Sequence, residues 1–443
     1  MRVFVSDAER RLADLQVDEG RLGDEEMQLV RVHPQHIRQA VVGFGGAVTE
    51  AVALTFAQMD GAAQERFLRL CFTSEGADYS LVRIPIQSCD FSEAPYDYLS
   101  DRRDTEFATF SISHDRQAII PLLKRIQQIK PEVEFLASPW SPPAFMKSNR
   151  IRNAGGSLLQ KHYENWAIVV ALYLLAYRDE GIRIRRVTVQ NEPHASQDWE
   201  SCRFSAQEER NFAVGYLRRA LDAAGFADVG ILGWDHNKER LLDRADALFA
   251  DEAGRNAIDG LAFHIYSGDH FDAVREVRRC YPDAELLLSE GCMEYSDFDP
   301  EREVLHAEKY AHEWVGDMAA GANGCLDWNL LLNEEGGPTY IRNFCDAPLM
   351  FDRRDGRLRE SLAFAYLVQV SRLLRPGARV CACSSYTADI ETLAAVNPDR
   401  SCVCVMLNRV DREYPVVLTE GNRSWCMDLG PHAIATAQWG PQG

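Results

Sequence analysis

The sequence predicts an α/β protein: a (β/α)8 TIM barrel with a side β-sandwich domain formed from both chain termini. Three observations favour this fold class. Eight strand-like runs alternate with amphipathic helical stretches through the middle of the chain, several of these runs end in polar side chains, and short strand-like runs occupy both ends. With 443 residues, the chain is long enough for one large domain and a smaller one.

The eight strand-like runs of the middle region are short, apolar and bounded by polar or turn-forming residues. They lie at 41–48, 79–86, 134–140, 185–192, 229–235, 260–266, 285–291 and 325–332. Segments with helical periodicity lie between them, for example 118–129, 163–180, 206–224 and 304–320. A doubly wound sheet would show the same alternation. However, the glycines around Gly43 and Gly46 lack the G-x-G-x-x-G spacing of a dinucleotide fold, so we expect a catalytic barrel over residues 41–375.

Both ends of the chain have a different pattern. Short apolar runs at 3–5, 12–17 and 27–32 predict strands within residues 1–40. After residue 375, short runs at 380–387, 390–396, 402–407, 414–418 and 434–439 are separated by turns. We therefore expect residues 1–40 and 376–443 to form one β-sandwich together.

The composition limits the possible partners. The chain has 46% hydrophobic and 26% charged residues, a formal net charge of −19 and a pI of about 5.1. Such an acidic surface repels phosphate groups, so we expect no nucleic-acid partner. The longest apolar run, 166–177, is too short to span a membrane. The N-terminus shows no signal-peptide pattern, and the twelve cysteines lack disulfide-scaffold spacing, which favours a cytoplasmic location.

Two C-x-C pairs, Cys381 with Cys383 and Cys402 with Cys404, allow two interpretations. Four thiolates are a zinc ligand set. In a strand, however, C-x-C places both sulfurs on one face, where cysteine packs as a small apolar residue. No turn-forming glycines accompany the pairs, so we predict core packing.

The fourth and seventh runs of the barrel each end in a carboxylate. Glu192 lies between Asn191 and Pro193, and Glu290 precedes Gly291. Catalytic groups of barrel enzymes lie at the carboxyl ends of the strands, so both side chains belong at one rim. Two opposed carboxylates at such a rim predict glycoside hydrolysis by an acid and a nucleophile.

Other strand ends add aromatic and polar side chains to the same rim. Aromatic rings offer flat apolar surfaces to a sugar ring, and carboxylates and amides accept its hydroxyl hydrogen bonds. Each residue alone is more often a packing or structural residue, and only their convergence indicates a sugar site. The residues expected there are Asp90, Trp140, Trp234, Asp235, His264, Tyr266, Asp327 and Trp328.

Arg83 lies within an otherwise apolar run and needs an acidic partner if it is buried. We expect that partner to be Glu290, which Arg83 would keep ionised as the nucleophile. Burial and the charge of Glu290 should raise the pKa of Glu192 and keep it protonated in the resting enzyme. Asn191 would hold the 2-hydroxyl of the sugar, and retention requires the two carboxyl groups to lie about 5 to 5.5 Å apart.

Several stretches in this order resemble glycoside hydrolase family 30, in particular its glucosylceramidase-like members. They are residues 43–54, 83–92, 136–143, 190–193, 264–266, 289–292, 327–329, 335–338 and 342–344. The resemblance covers the whole barrel and implies a retaining β-glycosidase with Glu192 as acid/base and Glu290 as nucleophile. It also implies that the following residues line the sugar subsite: Asp90, Trp140, Asn191, His264, Tyr266, Trp328 and Asn343.

The favoured activity is that of an exo-acting β-glucosidase, because Asp90 and Trp140 are residue types that bind the outer hydroxyls of a glucose-like ring. β-Xylosidase and endo-β-1,6-glucanase activity on the same scaffold remain open. A non-catalytic carbohydrate-binding protein would not need two opposed carboxylates. A metal-dependent hydrolase has little support, because no H-E-x-x-H pattern occurs. We therefore expect a small β-linked oligosaccharide or glycoside as substrate and neither cofactor nor metal; the oligomeric state stays open.

Overall fold

The structure is a computed structural model that describes residues 1–19, 28–99, 101, 104 and 106–440. Strands and helices are numbered here in chain order. The strands are β1 (Arg2–Ser6), β2 (Ala13–Asp14), β3 (Asp18–Glu19), β4 (Leu29–Ala40), β5 (Gly43–Ala47), β6 (Leu81–Ile86), β7 (Glu134–Pro139), β8 (Ile184–Thr188), β9 (Gly230–Asn237), β10 (Gly260–His264), β11 (Glu285–Glu290), β12 (Met293–Glu294), β13 (Gly324–Asp327), β14 (Leu331–Asn333), β15 (Cys345–Asp346), β16 (Leu349–Asp352), β17 (Arg357–Glu360), β18 (Arg379–Ser385), β19 (Ile390–Val396), β20 (Cys402–Asn408), β21 (Tyr414–Glu420), β22 (Arg423–Leu429) and β23 (Ile434–Trp439).

The helices pack mostly around the barrel strands. They are α1 (Glu50–Gln58), α2 (Gly61–Phe72), α3 (Ile119–Ile129), α4 (Tyr163–Asp179), α5 (Ala206–Phe212), α6 (Arg218–Ala223), α7 (Leu241–Leu248), α8 (Glu252–Ala257), α9 (Phe271–Cys280), α10 (Pro300–Ala320) and α11 (Leu362–Ser371). A π-helical turn, Ala213–Leu217, joins α5 to α6. Within the described part of the chain, no helix is both long and apolar enough to cross a membrane.

Eight parallel strands close into the predicted barrel. The order around it is β5, β6, β7, β8, β9, β10, β11 and β13, with β13 pairing back to β5. Apolar side chains from six of these strands fill the interior, and they are Leu81, Leu136, Leu232, Ala262, Leu287 and Leu326. This plug keeps the barrel a packed core, so that its chemistry must lie at the ends of the strands.

The predicted strands are in the right places but several are too long. The run 185–192 ends as a strand at Thr188, so Gln190, Asn191 and Glu192 lie in the loop that follows β8. The run 325–332 is divided between barrel strand β13 and strand β14 of a separate sheet. In both cases the polar residues at the strand end leave the ladder to reach the rim.

The side domain uses both chain termini, as predicted. Among the described residues, one mixed sheet has the order β2, β1, β23, β20, β19, β18, β4, β21, β22 and β3. The N-terminal strand β1 pairs with β23, and β4 lies between β18 and β21. Residue 27 of the predicted run 27–32 lies outside the described residues, and the domain boundaries at 40/41 and 375/376 stay predictions.

The cysteine pairs pack in the core of this side domain. Cys381, Cys402 and Cys404 are buried members of its apolar cluster, and Cys383 packs against it. Within the described residues, the side chains close enough to share a metal ion do not include these cysteines. The predicted core packing of the cysteines is therefore confirmed.

Candidate active site

Arg83 lies at the centre of the site. The guanidinium group is fully buried and forms ion pairs with Glu290 and with Asp235, the latter at 2.8 Å. It also donates to Asn191 Oδ1 at 2.8 Å. The indole rings of Trp140 and Trp328 cover it, with centroids 4.8 and 5.5 Å from Cζ. Arg83 therefore orients a carboxylate at the end of β11 and an amide after β8 at the same time.

Asp235 is the second buried partner of Arg83. Its carboxylate also accepts hydrogen bonds from Thr188 (2.7 Å), Ser289 (2.6 Å) and His264 Nε2 (3.1 Å). Burial alone would raise the pKa of Asp235, but Arg83 and these donors hold the pKa well below its usual range. Asp235 is thus a fixed negative charge beneath the rim.

Glu290 lies at the end of β11 and faces the cavity. Arg83 binds Oε2, and the Tyr266 hydroxyl donates to Oε1 at 2.9 Å. The two donors fix the plane of this carboxylate. Arg83 therefore pairs with Glu290, the acidic partner that the sequence predicted for it.

Glu192 faces Glu290 from the loop after β8. His264 Nδ1 lies 3.6 Å from Glu192 Oε1 and 3.8 Å from Glu290 Oε1. Because both oxygens lie within 4 Å of one nitrogen, the two carboxylates share one small space. On the other side, His236 Nδ1 lies 3.4 Å from Glu192 Oε1.

The expected protonation of Glu192 is wrong for the resting enzyme. Burial raises the pKa of Glu192, but the imidazoles of His236 and His264 outweigh burial and hold the pKa well below its usual range. Burial would lower the pKa of His264, yet Glu290, Asp235 and Glu192 raise it to about 9. The two imidazoles come from other strand ends, so the sequence around Glu192 does not reveal them. Glu192 and His264 therefore share a proton that, in the resting state, lies on the imidazole.

The backbone at the rim is strained. Glu192 has φ +46° and Asp235 has φ +50°, the left-handed region that non-glycine residues rarely adopt. Such conformations persist only where surrounding contacts hold them, and they concentrate at functional sites. At Glu192 the amide donates to the Asp235 carbonyl at 2.9 Å, which links the two strained residues.

A cavity of about 340 Å³ opens between the two carboxylates. Its size is within the range of small-molecule sites. At one side, Asn343 donates to Asp90 at 3.1 Å, and the rings of Trp140 and Trp328 stack at 5.2 Å. The predicted residues that line it are Asp90, Trp140, Asn191, Glu192, Tyr266, Glu290, Trp328 and Asn343.

Four expected rim residues do not line the cavity, and one of them is Asp235, which lies beneath the rim. His264 is fully buried and supports the carboxylates from behind. Trp234 points away from the cavity and stacks on Arg244, with Cζ 4.4 Å from its ring centroid. Asp327 is buried on β13, where burial raises its pKa well above the usual range. For Trp234 the reason is the left-handed backbone at residues 234 and 235, which breaks the strand alternation.

Sequence reasoning missed part of the cavity wall. The additional lining residues are Gln197, Trp199, His236, Asn237, Cys292, Glu294, Phe344 and Cys345. Half of them, Gln197, Trp199, Cys292 and Phe344, lie in loops after the strands, where periodicity carries no information. His236 and Asn237 directly follow Asp235, so their position next to a strand end was the one available signal.

One group of side chains is placed to hold a cation. Within the described residues, Glu192, His236 and His264 bring three ligand atoms within 4.8 Å of one another.

A closed parallel barrel with two opposed carboxylates and an aromatic-lined cavity at its carboxyl rim defines the class of barrel glycosidases. The chain matches the glycosyl hydrolase family 30 TIM-barrel domain over residues 41–374 and the family 30 β-sandwich domain over residues 377–437. It therefore belongs to glycoside hydrolase family 30, a family of retaining O-glycoside hydrolases.

Relatives with known names span nearly the whole chain. Lysosomal acid glucosylceramidase of Mus musculus is 30% identical over 93% of this chain and 83% of its own length. Endo-1,6-beta-D-glucanase neg1 of Aspergillus fumigatus is 24% identical over 90% of this chain and 85% of its own. The crystal structure of SrfJ from Salmonella typhimurium is 39% identical and superposes with a TM-score of 0.96, covering 100% of this chain and 99% of that one.

Proposed function

We propose that the protein is an exo-acting β-glucosidase that hydrolyses β-glucosidic bonds with retention, with Glu290 as nucleophile and Glu192 as acid/base. The observation that carries this proposal is that both carboxylates lie against one buried imidazole, that of His264. Of these two carboxylates, only Glu290 forms an ion pair with Arg83. The two carboxylates are therefore unequal: one has a permanent cationic partner, and the other shares a proton with His264.

The first step is attack by Glu290 on the anomeric carbon. Arg83 and Tyr266 hold this carboxylate in place, while Glu192 donates the shared proton to the departing glycosidic oxygen. The products of this step are a covalent glycosyl-enzyme and a free aglycone.

In the second step, Glu192 accepts a proton from water, and the resulting hydroxide equivalent displaces Glu290 from the sugar. In this mechanism Asn191 donates to the 2-hydroxyl, and the contact that supports this role is Arg83 on its oxygen, which leaves the amide N–H groups as donors. The anomeric configuration is thereby restored.

Two features support glucose as the sugar. Asp90 and Asn343 form a hydrogen-bonded pair at the cavity wall, next to the stacked rings of Trp140 and Trp328. A carboxyl group, an amide and an indole together suit the outer hydroxyls and one face of a glucose ring. The relative from Mus musculus, whose name gives glucosylceramide as its substrate, is the second support.

A second candidate activity is endo-β-1,6-glucanase, which the named fungal relative favours. The experiment is hydrolysis of nitrophenyl β-glucoside, β-xyloside and β-1,6-gluco-oligosaccharides, with NMR of the first anomer formed. Exo-glucosidase action releases β-glucose from the glucoside and shortens oligosaccharides by one unit at a time. Internal cleavage with little glucoside turnover would select the second candidate, and an α-anomer as first product would contradict both. The cytoplasmic location stays a prediction.

A further inference from the structure

Two imidazole nitrogens beside Glu192 lack hydrogen-bond partners. Among the described residues, Nδ1 of His236 and Nδ1 of His264 are both buried without a regular hydrogen bond, and each faces Glu192 Oε1 only at ion-pair distance. The His264 side chain is fully buried. Buried polar atoms in folded proteins nearly always have a partner, so two such atoms against one carboxylate require an explanation.

The spacing of these atoms is that of a metal ligand set. Glu192 Oε1 lies 3.4 Å from His236 Nδ1 and 3.6 Å from His264 Nδ1. Zinc binds nitrogen and carboxylate oxygen at about 2.0 to 2.2 Å, which places tetrahedral ligand atoms about 3.3 to 3.6 Å apart. The remaining nitrogen–nitrogen separation lies within 4.8 Å, so a small rotation of one ring completes the set.

A buried carboxylate orients one of the ligands. His264 Nε2 lies 3.1 Å from Asp235 Oδ1, and Asp235 is ionised, so Nε2 is the nitrogen that carries the hydrogen. When His264 has a single proton, its Nδ1 lone pair points at Glu192. This carboxylate–histidine arrangement is the one that protein zinc sites use to fix the ring and increase its basicity.

The local charge also favours a cation. Arg83 pairs with Glu290 and Asp235, whereas Glu192 faces only the two imidazoles and has no permanent positive partner among the described residues. A divalent ion would neutralise the excess negative charge, taking the place of the proton between Glu192 and the imidazoles. Two imidazoles and one carboxylate favour zinc, copper, nickel or cobalt over magnesium and calcium, which prefer oxygen ligands.

We propose that Glu192, His236 and His264 form an inhibitory site for a zinc-type divalent cation. The bound ion occupies the carboxylate that must protonate the leaving group, so it blocks hydrolysis reversibly. The inhibitory part rests on the proposed role of Glu192, whereas cation binding does not. The set was not visible in the sequence, because its ligands come from three separate strand ends with no motif spacing.

Binding is tested with cobalt(II) and zinc on the intact protein, by visible absorption and by calorimetry. One equivalent of cobalt should give the intense bands of a four-coordinate ion, zinc should displace it, and magnesium should not bind. His236→Gln should weaken zinc binding by more than about 10-fold, the loss seen even for residues that only support a metal ligand. The isosteric change Glu192→Gln should do the same. His194→Gln is the matched control, because His194 lies two residues from Glu192 but belongs to no ligand group in the described residues; its zinc affinity should equal that of the wild type.

The inhibitory role is tested separately, by measuring hydrolysis in the presence of zinc. Zinc should inhibit nitrophenyl β-glucoside hydrolysis, a chelator should restore it, and His236→Gln should need more than about 10-fold more zinc for half inhibition. Zinc affinity equal in wild type, His236→Gln and Glu192→Gln, in folded proteins, would overturn the site and leave the proposed glycosidase function standing. Binding at this site without inhibition would overturn the inhibitory role and contradict the assignment of Glu192 as the acid.

Discussion

Two arginines at opposite ends of the barrel each contact a pair of carboxylates. Arg83 contacts Glu290 at the carboxyl end of β11, and Arg186 contacts Glu285 at the other end of the same strand, at 2.5 Å. The residue types and the strand are the same. The surroundings are not: the Arg83 side chain has no solvent exposure and is covered by two tryptophans, whereas Arg186 is 13% exposed and Glu285 is 22% exposed.

The difference separates an orienting ion pair from a structural one. At the carboxyl end the buried guanidinium fixes a carboxylate that faces a cavity and an opposed second carboxylate. At the amino end, Arg186 bridges Glu134 and Glu285, which are the first residues of β7 and β11. An ion pair in a barrel therefore indicates function only when it lies at the carboxyl rim and its carboxylate faces a cavity and a second carboxylate.

The largest difference between the two ends of the barrel is expected when the carboxylate at each end of β11, Glu290 or Glu285, is neutralised. Glu290→Gln should lower kcat by more than about 10⁴-fold, in the range seen when a catalytic nucleophile is removed. Glu285→Gln, the matched control, should hydrolyse nitrophenyl β-glucoside at close to the wild-type rate. Equal effects of the two changes would contradict the separation of the two ends.

The acid/base should give the next largest effect. Glu192→Gln should lower kcat by about 10² to 10⁴-fold on a poor leaving group, because general acid catalysis is lost. With dinitrophenolate, which leaves without protonation, formation of the glycosyl-enzyme should stay fast, and azide should restore turnover by attacking it. The measurement is a burst experiment with both substrates. An equal loss with both would contradict the role of Glu192.

Changing the two arginines to lysine compares their contributions to stability. Arg83→Lys cannot bind both buried carboxylates and should lower the free energy of unfolding by about 3 kcal/mol, as when a buried pair is broken. Arg186→Lys lies closer to solvent and should cost about 1 kcal/mol. Urea unfolding of both variants tests this order, and a larger loss for Arg186→Lys would reverse the comparison.

A third cation, the buried Lys238, also contacts two carboxylates, and this group should make the stability of the protein depend on pH. Lys238 is buried against Glu313 (2.6 Å) and Asp317 (3.2 Å), and burial raises the pKa of Asp317 to about 7. The folded protein therefore binds a proton that the unfolded chain releases near pH 4. The contribution of Asp317 to stability should be present below pH 4 and fall as pH rises towards 7.

Asp317→Asn removes this titration, so its unfolding free energy should depend less steeply on pH between 4 and 7 than that of the wild type. Urea unfolding at several pH values in this interval tests it. Equal slopes in the two proteins would mean that Asp317 is ionised throughout.

The sequence predicted the barrel, the shared side domain and the meeting of Glu192, Glu290 and Arg83, because strand alternation places every strand end at one rim. It did not predict the protonation of Glu192 or the inward position of Asp235. Residues 234 and 235 have φ +70° and +50°, and the pairing of β9 with β10 shifts register nearby. Such local breaks in alternation depend on tertiary contacts, so a pattern with period two cannot reveal them.

The central claim is that Glu290 attacks the sugar and that Glu192 faces it. The most direct test is to inactivate the enzyme with 2-deoxy-2-fluoro-β-glucosyl fluoride, digest it, and locate the labelled residue by mass spectrometry. We expect one fluoroglucosyl group per chain, attached to Glu290. A label on another residue, with Glu290 unmodified in the inactivated enzyme, would contradict the account.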